Sequence, residues 1–195
     1  MATNSKVPLN LVLGTNNIGD SSKDPVATID SSEQAKAFLE TFAQRGYSEV
    51  DTARCSKVMA APHTKDNILK GIDALLEDLK IKQIDIKYLH MPDRATPFDQ
   101  LCEAMDHSIR ETKIRRWGLC NYAADEVAQI VRICEERGFV KPSVYQGPYN
   151  AAVRGAEKDL FKVLRDNDMS FYAYSPAAGG LFAGNHKGGR KGGKF

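Results

Sequence analysis

A carboxylate and two cations, Asp51, Arg54 and Lys57, crowd together within "SEVDTARCSKVMAAPHTKDN", residues 48–67. Asp51 follows the apolar Val50 at the exit of a short strand-like run, and Pro62 comes eleven residues later. A carboxylate in that place either takes part in a site or closes the loop after its strand by pairing with Arg54. Further along, His90, Asn121, Gln146 and Ser175 each stand at the end of an apolar run. An imidazole titrates near ~6.5 and exchanges protons at neutral pH, so a histidine in such a place is a candidate proton donor. His63, His107 and His186 have no spacing that suggests a metal, and no metal site is expected. Met59, Met91 and Met105 read as core or rim filler.

The elements that must position these residues alternate regularly. Strand-like runs are "LNLVLGT" (9–15), "YSEVDTA", "QIDIKYLH" (83–90), "RRWGLCNY", "PSVYQGPYN" and "MSFYAYSPAAGG". Between them lie amphipathic helical stretches. The stretch 31–46 has Ser at its start, Ala35, Phe38, Leu39 and Phe42 on one face, and Gly as a stop. The stretch 66–80 carries Ile68, Ile72, Leu75, Leu76 and Leu79 on one stripe. A third spans 97–114 with Pro at its first turn, and "ADEVAQIVRICEERG" and "AEKDLFKVLRDND" follow. Strand then helix, repeated, predicts a parallel sheet with crossover helices. Polar residues at the strand ends predict a (β/α) barrel with its site on the C-terminal rim. The competing doubly wound sheet expects a glycine-rich loop after the first strand, and "GTNNIGD" has glycine only at 14 and 19.

The chain of 195 residues suffices for one sizeable domain, expected over 1–184, followed by a basic, glycine-rich tail over 185–195. A net charge of +2 gives no reason to propose a nucleic-acid partner. No segment approaches the ~18 continuous apolar residues of a membrane span. Cys55, Cys102, Cys120 and Cys134 show neither CxxC nor metal spacing. With no signal peptide ahead of them, reduced thiols in a cytoplasmic protein are expected.

The words "VDTAR", "YLHMPDRATPF", "WGLCNYAADEVAQI", "PSVYQGPYN" and "FYAYSPAAGGLFAG" occur in order and span most of the chain. In these the chain resembles the aldo-keto reductase superfamily, and most closely its aflatoxin-aldehyde reductase branch with its fungal relatives, some of them expected in secondary metabolism. The resemblance implies an α/β fold of the (β/α)8 TIM-barrel type and NADPH-dependent reduction of a small-molecule aldehyde or ketone to an alcohol. It implies a catalytic set of Asp51, Lys57 and His90. It also implies a nicotinamide cradle of Cys120, Asn121 and Gln146, with Cys120 where the family has serine, Tyr174 stacked on the ring and Ser175 near the pyrophosphate. The family's proton-donating tyrosine lies a few residues after the aspartate, where its pKa is lowered by the lysine; here no tyrosine follows Asp51 before Tyr88. Lys57 also reads as an ordinary exposed lysine, His90 as a rim histidine and Cys120 as a small buried residue.

The resemblance makes this an incomplete barrel. Asp51 and Lys57 are six positions apart, whereas a parallel crossover takes about a dozen residues or more and six extended residues span at most ~20 Å. The third strand is therefore expected to be disrupted, with "CSKVMAAP" an irregular loop or a reversed edge strand. The family's eighth strand, C-terminal helices and adenosine-phosphate loop are expected after Phe195 and read as missing. Two alternatives to an enzyme follow: a truncated, inactive remnant, or a non-catalytic subunit that self-associates through its open barrel edge.

Overall fold

A single hydroxyl starts each of the first two helices. The computed structural model describes residues 10–23, 27–52 and 62–184, which fall into two compact units, one within Met1–Val58 and the other within Met59–Phe195. In the first unit, Ser31 is extended and its Oγ accepts the Gln34 N–H at 3.2 Å, which opens helix α1, Ser32–Gln44. Gly46, at φ +85°, turns the chain out of it. α1 connects strand β1, Val12–Gly14, to strand β2, Glu49–Asp51. The two strands pair in parallel, with Leu13 opposite Val50 and Gly14 opposite Asp51. No residue of α1 is buried, although Phe42 stacks on Tyr47 with ring centres 5.2 Å apart.

The second unit opens with Thr64, whose Oγ1 accepts the Asn67 N–H at 3.4 Å and starts helix α2, Lys65–Leu79. Strand β3 (Ile84–Leu89), helix α3 (Phe98–Arg110), strand β4 (Ile114–Cys120), helix α4 (Ala124–Arg137), strand β5 (Val144–Pro148), helix α5 (Leu160–Asp166) and strand β6 (Ser170–Tyr174) then alternate. The four strands form one sheet in the order β3-β4-β5-β6, and every pairing is parallel. Consecutive strands lie side by side, the short-connection rule of α/β folds.

The pattern of 97–114 predicts one long helix, but α3 ends at Arg110. Thr112 takes a left-handed conformation, φ +58°, and the Lys113 N–H returns to the Ser108 carbonyl at 3.0 Å. That reversal releases Ile114 into β4, opposite Ile84 and only 1% exposed.

Trp117, Leu119, Leu101, Met105, Val127 and Ile130 are all 0% exposed and form the centre of the core. The Trp117 indole N–H donates to the Val140 carbonyl at 2.9 Å, so the one polar atom of the ring keeps a partner. Asp106 is buried but satisfied: its carboxylate accepts from Arg110 Nε at 2.6 Å and from the Val140 N–H at 2.9 Å. The Arg110 guanidinium is the main cause holding that carboxyl below the usual range. Among the described residues, no helix is long and apolar enough to cross a membrane. "CSKVMAAP", where the disrupted third strand was expected, lies outside the described residues up to Ala61, as does the tail 185–195.

Candidate active site

The C-terminal ends of β3, β4, β5 and β6 bring together residues far apart in sequence. Register does the first part: Leu89 lies opposite Leu119, Cys120 opposite Gln146, and Pro148 opposite Tyr174. Side-chain hydrogen bonds do the rest. The Tyr174 hydroxyl donates to Asn121 Oδ1 at 2.9 Å. Asn121 Nδ2 donates to the His90 carbonyl at 2.9 Å and to Cys120 Sγ at 3.1 Å. The Cys120 thiol in turn faces Gln146 Oε1 at 3.8 Å. The amide orientation follows from chemistry, because the His90 carbonyl only accepts and so must face the NH2 end. The outcome is a polarised chain, Tyr174 to Asn121 to Cys120 to Gln146, crossing the tops of three strands.

Two of these strand ends take an uncommon backbone. Asn121 sits at φ +65° and Ser175 at φ +57°. Non-glycine residues in the left-handed region cost of order 1 kcal/mol or more and persist where surrounding contacts hold them. Asn121 is held by the chain just described; the Ser175 carbonyl accepts Asn150 Nδ2 at 3.0 Å and the Ala178 N–H at 3.0 Å. Burial first, and the neighbouring Cys120 second, push the Tyr174 phenol above its ordinary range, so this hydroxyl stays protonated and donates at neutral pH. Cys120 itself is 1% exposed.

Of the remaining expected residues, Asp51 and His90 lie among the described residues and Lys57 does not. Asp51 closes β2 in the first unit, half-buried, with its backbone carbonyl accepting both the N–H and the Oγ1 of Thr15 at 3.0 and 2.9 Å. Lys57, like Arg54 and Cys55, lies outside the described residues. His90 follows β3 and is exposed, and its carbonyl joins the Asn121 group. Among the described residues, no group of three or more His, Cys, Asp and Glu is placed to hold a metal.

Sequence spacing had set His63 aside, yet it belongs to a second polar group on the same rim. Its backbone N–H donates to Asp93 Oδ2 at 2.8 Å, and its Nδ1 lies 3.5 Å from the Tyr122 hydroxyl. Burial pushes the His63 imidazole down, against the opposing pull of Asp93. Arg94 grips Glu126 at 2.6 Å while Glu126 Oε2 accepts the Ala123 N–H at 2.8 Å, which opens α4. Lys87, opposite Trp117 in the ladder, has its ammonium pushed down by burial alone. His63 and Tyr122 are 59 positions apart, and no local pattern announces their meeting.

The sequence pattern of the aldo/keto reductase family matches residues 55–195. The chain belongs to that family, whose fold is the (β/α)8 barrel, and the parallel strands and crossover helices among the described residues are an incomplete version of it. It is similar to an aldo-keto reductase of Pseudocercospora fijiensis, with 34% identity over 74% of this chain and 59% of the relative. It is similar to aflatoxin B1 aldehyde reductase member 2 of Homo sapiens, with 42% identity over 63% of this chain and 34% of the relative. The mouse protein of the same name is 34% identical over 90% of this chain and 54% of its own length. The chain thus spans between 34% and 59% of the length of these relatives.

Proposed function

We propose that the chain binds NADPH through the rim of β4, β5 and β6 and reduces a small-molecule aldehyde or ketone, with turnover limited by the lack of a tyrosine beside Asp51. This reading takes residues 1–184 as one partial barrel domain and 185–195 as its tail. The observation that carries it is the hydrogen-bonded chain from Tyr174 through Asn121 and Cys120 to Gln146, because these are the four side chains that the resemblance assigns to the nicotinamide end. The donor set fits that group: a carboxamide needs both an acceptor and a donor, and Asn121 Oδ1 and the Gln146 amide offer them at the strand ends. Tyr174, half-buried, presents a ring for stacking, and the exposed Ser175 follows it.

Asn121, Gln146 and Tyr174 would hold the reduced nicotinamide, which when bound would supply a hydride for a carbonyl carbon. The proposed catalytic set is Asp51, Lys57 and His90. His90, exposed at the end of β3, delivers the proton to the carbonyl oxygen in place of the family's tyrosine. Losing a positioned general acid typically costs ~10²–10⁴ in rate, so turnover is slow. The test compares the loss of cofactor absorbance with an aromatic aldehyde for the intact chain and for His90→Ala. Slow reduction by the first and none by the second supports the role of His90; equal rates, or no reduction by either, overturn it.

A second reading is favoured by one observation: between Asp51 and Tyr88 the sequence holds no tyrosine at all. On that reading the chain is a non-catalytic subunit or remnant. Among the described residues, the four-stranded sheet ends in β3 and β6, each with one neighbour, and a second copy would cover such an edge. Size-exclusion chromatography at several concentrations tests the subunit, and a stable monomer ends it.

A further inference from the structure

Between the start of α4 and the connection from β5 to α5, the second unit holds a cavity of about 300 Å³ that the proposed chemistry does not use. Tyr122, Tyr145, Phe171, Val153 and Leu160 supply its apolar walls, and Asp159 is the one charged residue that lines it. Strand alternation fixes which side of the sheet it opens on. Tyr145 and Gly147 share one face of β5, while Gln146, opposite Cys120, points to the other. The cavity therefore lies behind the hydrogen-bonded rim, on the helix side of the sheet. Tyr145 stands opposite Phe171 in the ladder, and their rings stack with centres 6.0 Å apart.

The polar groups around the cavity are answered, with one exception. The Tyr145 hydroxyl donates to the Tyr122 carbonyl at 2.6 Å, and the Tyr122 hydroxyl faces His63. Ala123, at the start of α4, gives its N–H to Glu126, and Asp125 and Glu126 stand in the first turn, so that helix end does not call for an anion. Arg154 and Glu157 neutralise each other, and Glu157 also accepts the Tyr149 hydroxyl. Asp159 precedes α5 without capping it, and among the described residues its carboxylate has no ion pair or hydrogen bond. We propose that this cavity is a second ligand site, for a small organic cation built on one aromatic ring. Aromatic walls pack such a ring and attract its charge through their quadrupoles, and Asp159 supplies the matching anion. The volume lies at the lower end of the range of about 300–1,000 Å³ for small-molecule sites, which suits a single-ring ligand rather than a dinucleotide. The site is independent of the cofactor reading, although its wall shares a strand end with the rim: Tyr122 follows Asn121, and Gly147 follows Gln146.

Phenethylammonium titrated into the full chain without NADPH, with backbone amide shifts followed by NMR, tests this. The expected result is a set of saturable shifts centred on residues 122–124, 145–148 and 153–160. Phenethyl alcohol, the same body without the charge, should bind about threefold or more weakly, and Asp159→Asn should bring the two ligands level. Gly155 also lines the cavity, and a Cβ there meets nothing within 4 Å. Gly155→Leu therefore has room to fold and should weaken both ligands alike. No saturable shift, shifts centred elsewhere, equal affinity for the charged and neutral ligands, or unchanged binding by Gly155→Leu overturns the proposal. The shift map and the comparison of ligands on the natural sequence decide the matter by themselves if a variant does not fold.

Discussion

Asp93 accepts the backbone N–H of His63 at 2.8 Å, tying the start of the α2 segment to the loop after β3 across 30 residues. The same carboxylate accepts from Thr96 Oγ1 at 2.6 Å and from the Ala95 N–H at 3.0 Å. The Thr96 hydroxyl, then the His63 N–H, hold its pKa down at about 2. Because the folded value lies below the unfolded one of ~3.9, the contribution is present above about pH 4 and is lost as pH falls through about 2. Asp93→Ala should lower stability by ~1 kcal/mol at neutral pH, the low end for bonds to a carboxylate open to water. Urea midpoints of the two proteins should converge on acidification. A gap that widens toward acid contradicts the assignment.

Gly118 in β4 has no room for a side chain. A Cβ there would stand 2.7 Å from the Val144 carbonyl oxygen and 2.8 Å from the Tyr88 ring. Backbone cannot yield as a flexible side chain does, so Gly118→Ala should cost ~1–3 kcal/mol. Gly71, inside α2, meets nothing within 4 Å, and Gly71→Ala should gain ~0.5–1 kcal/mol from helix propensity. Thermal melting of the pair reads both signs, and a stable Gly118→Ala would refute the close approach of β4 to the Val144 carbonyl of β5.

Leu101, on α3, is fully buried in the core at 0% exposure. Leu101→Ala should cost ~2–5 kcal/mol, read as a lower urea midpoint with an unchanged slope. A loss below ~1 kcal/mol would mean that this part of the core is not packed as described.

Asn121 combines a left-handed backbone with the central amide of the rim. Asn121→Gly relieves the conformational cost of ~1 kcal/mol that Asn121→Ala retains, so the glycine variant should melt higher of the two. Both remove the amide, and both should lose affinity for the dinucleotide. If the alanine variant melts higher, the left-handed assignment is wrong.

Much of the fold is written locally. Ser31 and Thr64 announce helix starts by their hydroxyls, and the apolar runs mark six strands. The end of α3 is not legible in this way, because Ile109 and Ile114 suit a continuing helix and only the left-handed Thr112 breaks it. Nor does the apolar stripe of α1 show that none of its residues is buried. The resemblance singles out Cys120, Asn121, Gln146 and Tyr174, but it does not show that these side chains are hydrogen-bonded in a chain. Tyr174 and Asn121 are 53 positions apart, and only the parallel register of β4, β5 and β6 makes them neighbours. His63 is not legible as a site residue, because its partners, Asp93 and Tyr122, come from two other loops.

The proposed cofactor site is tested most directly by titrating NADPH into the chain and following the emission of its nicotinamide ring, alongside Asn121→Ala. A saturable rise in emission with the natural sequence, weakened about tenfold or more in the variant as expected for losing a half-buried, hydrogen-bonded amide, is the predicted result. No change in emission with the natural sequence, or the same curve for both proteins, contradicts a nicotinamide site at these strand ends.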